Sequence, residues 1–128
     1  MKRSSYLRDL SSDHHQALNL AREILKEFSG NSSMEPLIAR VRRDYREKLV
    51  PHFEREEQTI LPELKKLGES ALVERTLEDH RLLGHLIEHL DDASAILEFA
   101  AALKAHVRFE ERILFQTMQR IWDEKGVE

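Results

Sequence analysis

The sequence has no cysteine among its 128 residues. That one absence excludes disulfides, iron–sulfur clusters and thiolate zinc sites, and it leaves any metal to histidine and carboxylate. Turn formers are also scarce, with four Gly and three Pro, and the remainder is rich in good helix formers, so an all-α chain is expected. No apolar run approaches the length of a membrane span. Lys and Arg form no block, and the net charge is −4, which argues against a nucleic-acid surface and against an anchor on acidic membranes. Met1-Lys2-Arg3-Ser4-Ser5 leads into polar sequence and not into an apolar segment. No secretory signal is therefore expected, and the expected location is cytoplasmic. The length suits a single domain, 1–128, with a core of useful size.

What the chain does have is apolar spacing of helical period almost throughout. A first helix is read from Ser5 to Phe28 through Leu7, Leu10, Ala17, Ala21 and Ile24, closed by Ser29-Gly30-Asn31. A second begins near Ser32, where Ser32 and Glu35 have capping-box spacing, and runs to about Leu67 through Ile38, Val41, Tyr45, Leu49, Ile60 and Leu64. Gly68-Glu69-Ser70 stops it and offers Ser70 as the next N-cap. A third reaches about Leu90 with Val73, Leu77, Leu83 and Ile87 inward. After Asp91-Asp92 a fourth presents Ile96, Phe99, Leu103, Ile113 and Ile121. Short connections between long amphipathic helices predict an up-down-up-down antiparallel four-helix bundle. Pro51 and Pro62 fall inside the second helix, so a kink is expected near Val50, and either another kink or an early end at Leu61.

The histidines interrupt this pattern in an informative way. His14 continues the seam of Leu7, Leu10 and Ala17, and His52 with Glu56 continues that of Val41, Tyr45 and Leu49. His80 lies between Leu77 and Leu83, and His106 with Glu110 lies between Leu103 and Ile113. Positions four apart lie one above the other on a helix, so each His-x-x-x-Glu pair can aim at one point. Counted from the connecting turns, the six residues differ in height by a few residues at ~1.5 Å each, which places them in one layer at mid-bundle. The pattern is doubled. Asp13-His14 precedes His52-Phe-Glu-Arg-Glu56-Glu57, and Asp79-His80 precedes His106-Val-Arg-Phe-Glu110-Glu111, as in a two-fold pseudo-symmetric site.

A lone histidine on an apolar face is usually a satisfied core residue. Six polar groups at one level are another matter. Two buried carboxylates among imidazoles would cost several kcal/mol without a cation to pair with. Nitrogen and carboxylate donors without sulfur suit iron, manganese or zinc, and glutamates on helical hairpins favour a pair of irons.

At these residues the chain resembles the hemerythrin-like family, the HHE cation-binding domain, from Asp13 to about Phe115. The resemblance implies that His14, His52, His80 and His106 are terminal ligands and that Glu56 and Glu110 bridge two iron ions, with an oxo or hydroxo bridge. It also implies a small-molecule ligand, dioxygen or nitric oxide, bound for sensing, storage or stress response. The other roles it offers are a di-iron oxidase or peroxidase, an iron–sulfur repair protein, or an iron-responsive interaction module. The repair branch carries an additional cysteine-containing N-terminal segment that this sequence does not show.

Two features depart from the oxygen carriers. They place a second histidine one turn after the first in helix three, where this chain has Gly84, which leaves room for water or an exogenous ligand. They also commonly space the fourth-helix carboxylate five residues after its histidine, and here the spacing is four. His15 could replace His14 if the helical phase is off by one. His85 and His89 fall on the wet face, unless a π-bulge near Gly84 turns His85 inward as a fifth ligand. Tyr45 and Trp122 are read as packing, and Asp13, Asp79, Glu57 and Glu111 as surface groups or supports for the ligands.

Overall fold

The structure, a computed structural model, describes residues 4–28 and 34–126. Four helices pack together in it: α1 (Ser5–Phe28), α2 (34–66), α3 (Ser70–Glu88) and α4 (93–124), with no strand among the described residues. The expected all-α bundle is what forms. Helix α1 lies against α4 and α2, and α3 lies against the same two from the other side. The α1–α4 pairing is the most extensive, helped by Ala17, Ala21 and Ala100, whose small side chains let the backbones approach. None of the helices among the described residues is long and apolar enough to cross a membrane.

The connections follow from local chemistry. Gly68 adopts φ +82°, a left-handed conformation that costs glycine little, and Glu69 N–H returns to Leu64 O at 2.9 Å to close the end of α2. Asp92 caps α4 by accepting from Ala95 N–H at 2.8 Å. Ser70 is not the cap of α3 as expected: the helix begins at Ser70 and the residue before it, Glu69, takes the cap position without a side-chain bond. The turn at Ser29-Gly30-Asn31 and the Ser32 capping box lie outside the described residues.

Helix α2 does not end at Leu61. It runs through both prolines, and each is preceded by a π-helical segment, Tyr45–Leu49 before Pro51 and Glu56–Ile60 before Pro62. Val50 N–H bonds back to Tyr45 O and Leu61 N–H to Glu56 O. The wider turn gives the pyrrolidine ring room beside the carbonyls it would otherwise strike, and each proline opens the next α segment, where a missing N–H costs little. A third π segment, Glu110–Leu114 in α4, contains no proline. It advances the helical phase by one residue, so Leu114 and Phe115 are buried where the uninterrupted period predicted Ile113, which is 48% exposed.

The core divides into two apolar clusters. One is built around Ile24, Val41, Leu83, Leu90, Ile96, Phe99 and Leu103. The other is built around Leu7, Leu10, Ile60, Leu64, Leu114, Phe115 and Met118. The polar layer lies in the helical turns between them.

Candidate metal centre

Each helix contributes a buried histidine: His14 from α1, His52 from α2, His80 from α3 and His106 from α4. Glu56 and Glu110 are both 0% exposed. Each of these glutamates is the first residue of a π segment, Glu56–Ile60 and Glu110–Leu114, so the doubled sequence pattern is matched by a doubled backbone feature. Segments of this kind are common at functional sites, because the extra residue re-aims a side chain without ending the helix.

The six side chains converge. His14, His52, Glu56 and Glu110 offer donor atoms within 4.8 Å of one another, and Glu56, His80, His106 and Glu110 do the same. Both glutamates belong to both groups. His14 Nε2 lies 2.8 Å from Glu110 Oε1, and His52 Nε2 lies 3.3 Å from Glu56 Oε2. On the other side His80 Nε2 is 3.2 Å from Glu56 Oε1 and His106 Nε2 is 3.3 Å from Glu110 Oε2. Donor atoms held about 2.1 Å from one first-row ion stand roughly 3–3.5 Å from each other, so these spacings fit two ions sharing two carboxylates.

The distal nitrogens are arranged with the same symmetry. His52 Nδ1 faces Asp13 at 3.0 Å and His106 Nδ1 faces Asp79 at 2.9 Å, each aspartate being the residue just before the histidine of the preceding helix in its hairpin. His80 Nδ1 faces Glu57 at 2.7 Å and His14 Nδ1 faces Glu111 at 3.4 Å, each glutamate being the residue just after a shared carboxylate. A carboxylate at Nδ1 draws the proton there and turns the Nε2 lone pair toward the centre, as a metal-binding imidazole requires. Arg55 contacts Asp13, and Arg75 holds Asp79 at 3.2 Å. Rings fix the imidazole planes as well: Phe115 stacks on His14 at 5.2 Å, and Phe53 stacks on His80 at 4.0 Å and meets His106 edge-on at 5.6 Å.

Without a cation this layer is electrostatically strained. Both oxygens of Glu56, Oε2 of Glu110 and the Nε2 atoms of His80 and His106 are buried with no hydrogen-bond partner. Burial first, and then the charge of Glu110, pushes Glu56 well above the ordinary carboxylate range. Burial acts upward on Glu110 too, but the charge of His106 and the close polar contacts of Glu56, His106 and His14 outweigh it and hold Glu110 well below that range. Burial opposes charge on His106, yet Glu110 and Asp79 raise it to about 9. His80 is lowered, by burial and by the charge of His106. A pair of cations would satisfy these five inward-facing atoms at once.

The sequence itself matches the hemerythrin HHE cation binding domain over residues 5–118. The chain belongs to that family. No curated protein and no solved structure matches it. As a hemerythrin HHE domain it is a cation-binding bundle, and the buried His/Glu layer fits that role.

The other histidines do not join the layer. His15 is exposed, one position from His14. His85 and His89 are exposed and stack on each other at 4.4 Å, and α3 is regular α-helix through Gly84, so no π-bulge turns His85 inward. The room expected at Gly84 is bounded by Tyr45: a Cβ added there would meet the Tyr45 hydroxyl at 3.3 Å. Tyr45 packs edge-on against Phe53 and Phe99, and burial together with the charges of Glu88 and Glu57 holds its phenol above the ordinary range, so it remains protonated. Trp122 meets Tyr6 edge-on at 6.4 Å, a packing contact. Sequence reasoning missed the two arginines, although each has a visible signal: Arg75 lies one helical turn before Asp79, and Arg55 lies one residue before Glu56.

Proposed function

We propose that this domain holds two iron ions, one between His14 and His52 and one between His80 and His106, with Glu56 and Glu110 shared. Its role would be to bind dioxygen or nitric oxide in sensing, storage or stress response. The observation that carries this reading is the overlap of the two donor groups in both glutamates. Shared carboxylates hold a pair of ions close together, and a close pair of ferrous ions supplies the two electrons that reversible dioxygen binding needs. The chain's own residues do the remaining work. The four distal carboxylates orient the imidazoles, Phe53 and Phe115 exclude water from their faces, and the π segments aim the two glutamates inward.

The test is anaerobic loading with ferrous iron followed by dioxygen or nitric oxide, monitored by absorption. The reading expects a stable new spectrum that is reversed on removing the gas. Steady consumption of dioxygen or peroxide would point to a redox enzyme, and a protein that only gains stability from iron would point to an iron-responsive module.

A further inference from the structure

The two halves of the layer are alike in their donors and unlike in the residues one and two turns away from them. The sequence offset that carries His14 onto His80 also carries Leu18 onto Gly84. The offset that carries His52 onto His106 and Glu56 onto Glu110 also carries Tyr45 onto Phe99. The first hairpin thus carries Leu18 and Tyr45 and the second Gly84 and Phe99, with the Tyr45 and Phe99 rings packed edge-on at 6.3 Å. The Tyr45 hydroxyl crosses from the first hairpin to the second, 3.3 Å from where a side chain at position 84, one turn after His80, would begin. The backbone differs in the same way: Tyr45 opens a π segment, whereas Phe99 sits in regular helix.

A surface cleft of about 310 Å³ between α2 and α3 touches His80 of this layer, walled also by Tyr45, Phe53, Glu54, Glu57 and Arg81. His80 is thus both a member of the buried layer and part of the cleft wall. The Tyr45 hydroxyl makes no hydrogen bond to any described residue, so its proton is free for an incoming acceptor. Phe53 meets Tyr45 edge-on and stacks on His80, so it links the positions of the two rings, while only the Tyr45 hydroxyl stands within 4 Å of a side chain beginning at position 84.

We propose that a small anionic ligand reaches the ion held by His80 and His106 through this cleft, and that the Tyr45 hydroxyl is the donor that binds its outer atom. This rests on the two-ion reading above. It makes Tyr45 a specificity-determining residue, selecting ligands that present an acceptor atom away from the metal. It also makes the two ions unequal, with the second hairpin's ion the receiving one.

The experiment uses azide and the iron-loaded, oxidised protein, with wild type, Tyr45→Phe and Gly84→Ala compared. Iron content is measured on each sample before azide is added, so a failure of the two-ion reading is seen there, independently of this inference. All three proteins are expected to hold two irons per chain. Tyr45→Phe should raise the azide Kd about tenfold and shift the azide absorption band, as losing one hydrogen bond to a charged ligand implies. Gly84→Ala, whose methyl crowds the hydroxyl, should raise the Kd several-fold with the phenol still present. A fully loaded Tyr45→Phe protein with wild-type azide affinity and spectrum overturns the proposal. So does a loss of affinity that merely parallels a loss of iron, because that is a packing effect.

Discussion

Asp79 accepts a hydrogen bond from His106 Nδ1 over 2.9 Å, and Asp13 stands in the same relation to His52 at 3.0 Å. Each contact settles which nitrogen of the imidazole faces the shared carboxylates. Asp79→Ala and Asp13→Ala should therefore weaken metal affinity roughly 10–100-fold while leaving the donors in place. Competition with a chromophoric chelator measures this, and unchanged affinity in both variants would show that the aspartates are incidental.

The register of α1 is tested by a pair of neighbours. His14 is buried beside Glu110 and His15 is exposed. His14→Ala should lose one ion or more, and His15→Ala should keep the wild-type content. Metal analysis of the two variants decides it, and the opposite result would mean that α1 is turned by one residue.

Loading should release protons. In the metal-free protein His106 is raised from its ordinary 6.5 to about 9, and Glu56 is raised well above its ordinary range. A raised histidine adds stability that is fully present below about 6.5 and is lost as pH climbs through about 9. The neutral form is the ligand, so cation and proton compete, and metal affinity should tighten steadily from pH 6 to 9. Calorimetry in buffers of different ionisation heat reads the released protons directly. A flat affinity over that range would contradict the assigned protonation.

Much of this was legible in the sequence because the donors obey helical spacing up to the two glutamates. His14, His52, His80 and His106 each continue an apolar seam, and Glu56 and Glu110 follow one turn on. What failed lies just beyond them. Ile113 was placed inward by extending an α-helical period through a π segment, whose single extra residue leaves no mark in composition. Pro51 suggests a kink and Pro62 a kink or an early end; the helix runs on past both, through π turns that are likewise invisible to an apolar count. The contact between Tyr45 and Gly84 joins two helices, and no spacing within either one reveals it.

That contact governs the effect of Gly84→His. A new imidazole at position 84 begins 3.3 Å from the Tyr45 hydroxyl, so the phenol must swing aside before the ring can turn toward His80. The single variant should lose some stability to this crowding, about 1 kcal/mol or more. Adding Tyr45→Ala should recover much of it and let the fifth histidine bind. Thermal melts of the loaded single and double variants check the order, and equal stability of Gly84→His and wild type would show that position 84 is roomier than the structure indicates.

The central claim is that two ions share Glu56 and Glu110, and counting ions tests it most directly. Anaerobic titration of the metal-free protein with ferrous iron, with metal analysis of the washed product, should saturate at two per chain. Glu56→Ala and Glu110→Ala should each depress both sites together, because both donor groups contain both residues. Saturation at one ion, or no tight binding at all, would contradict the account.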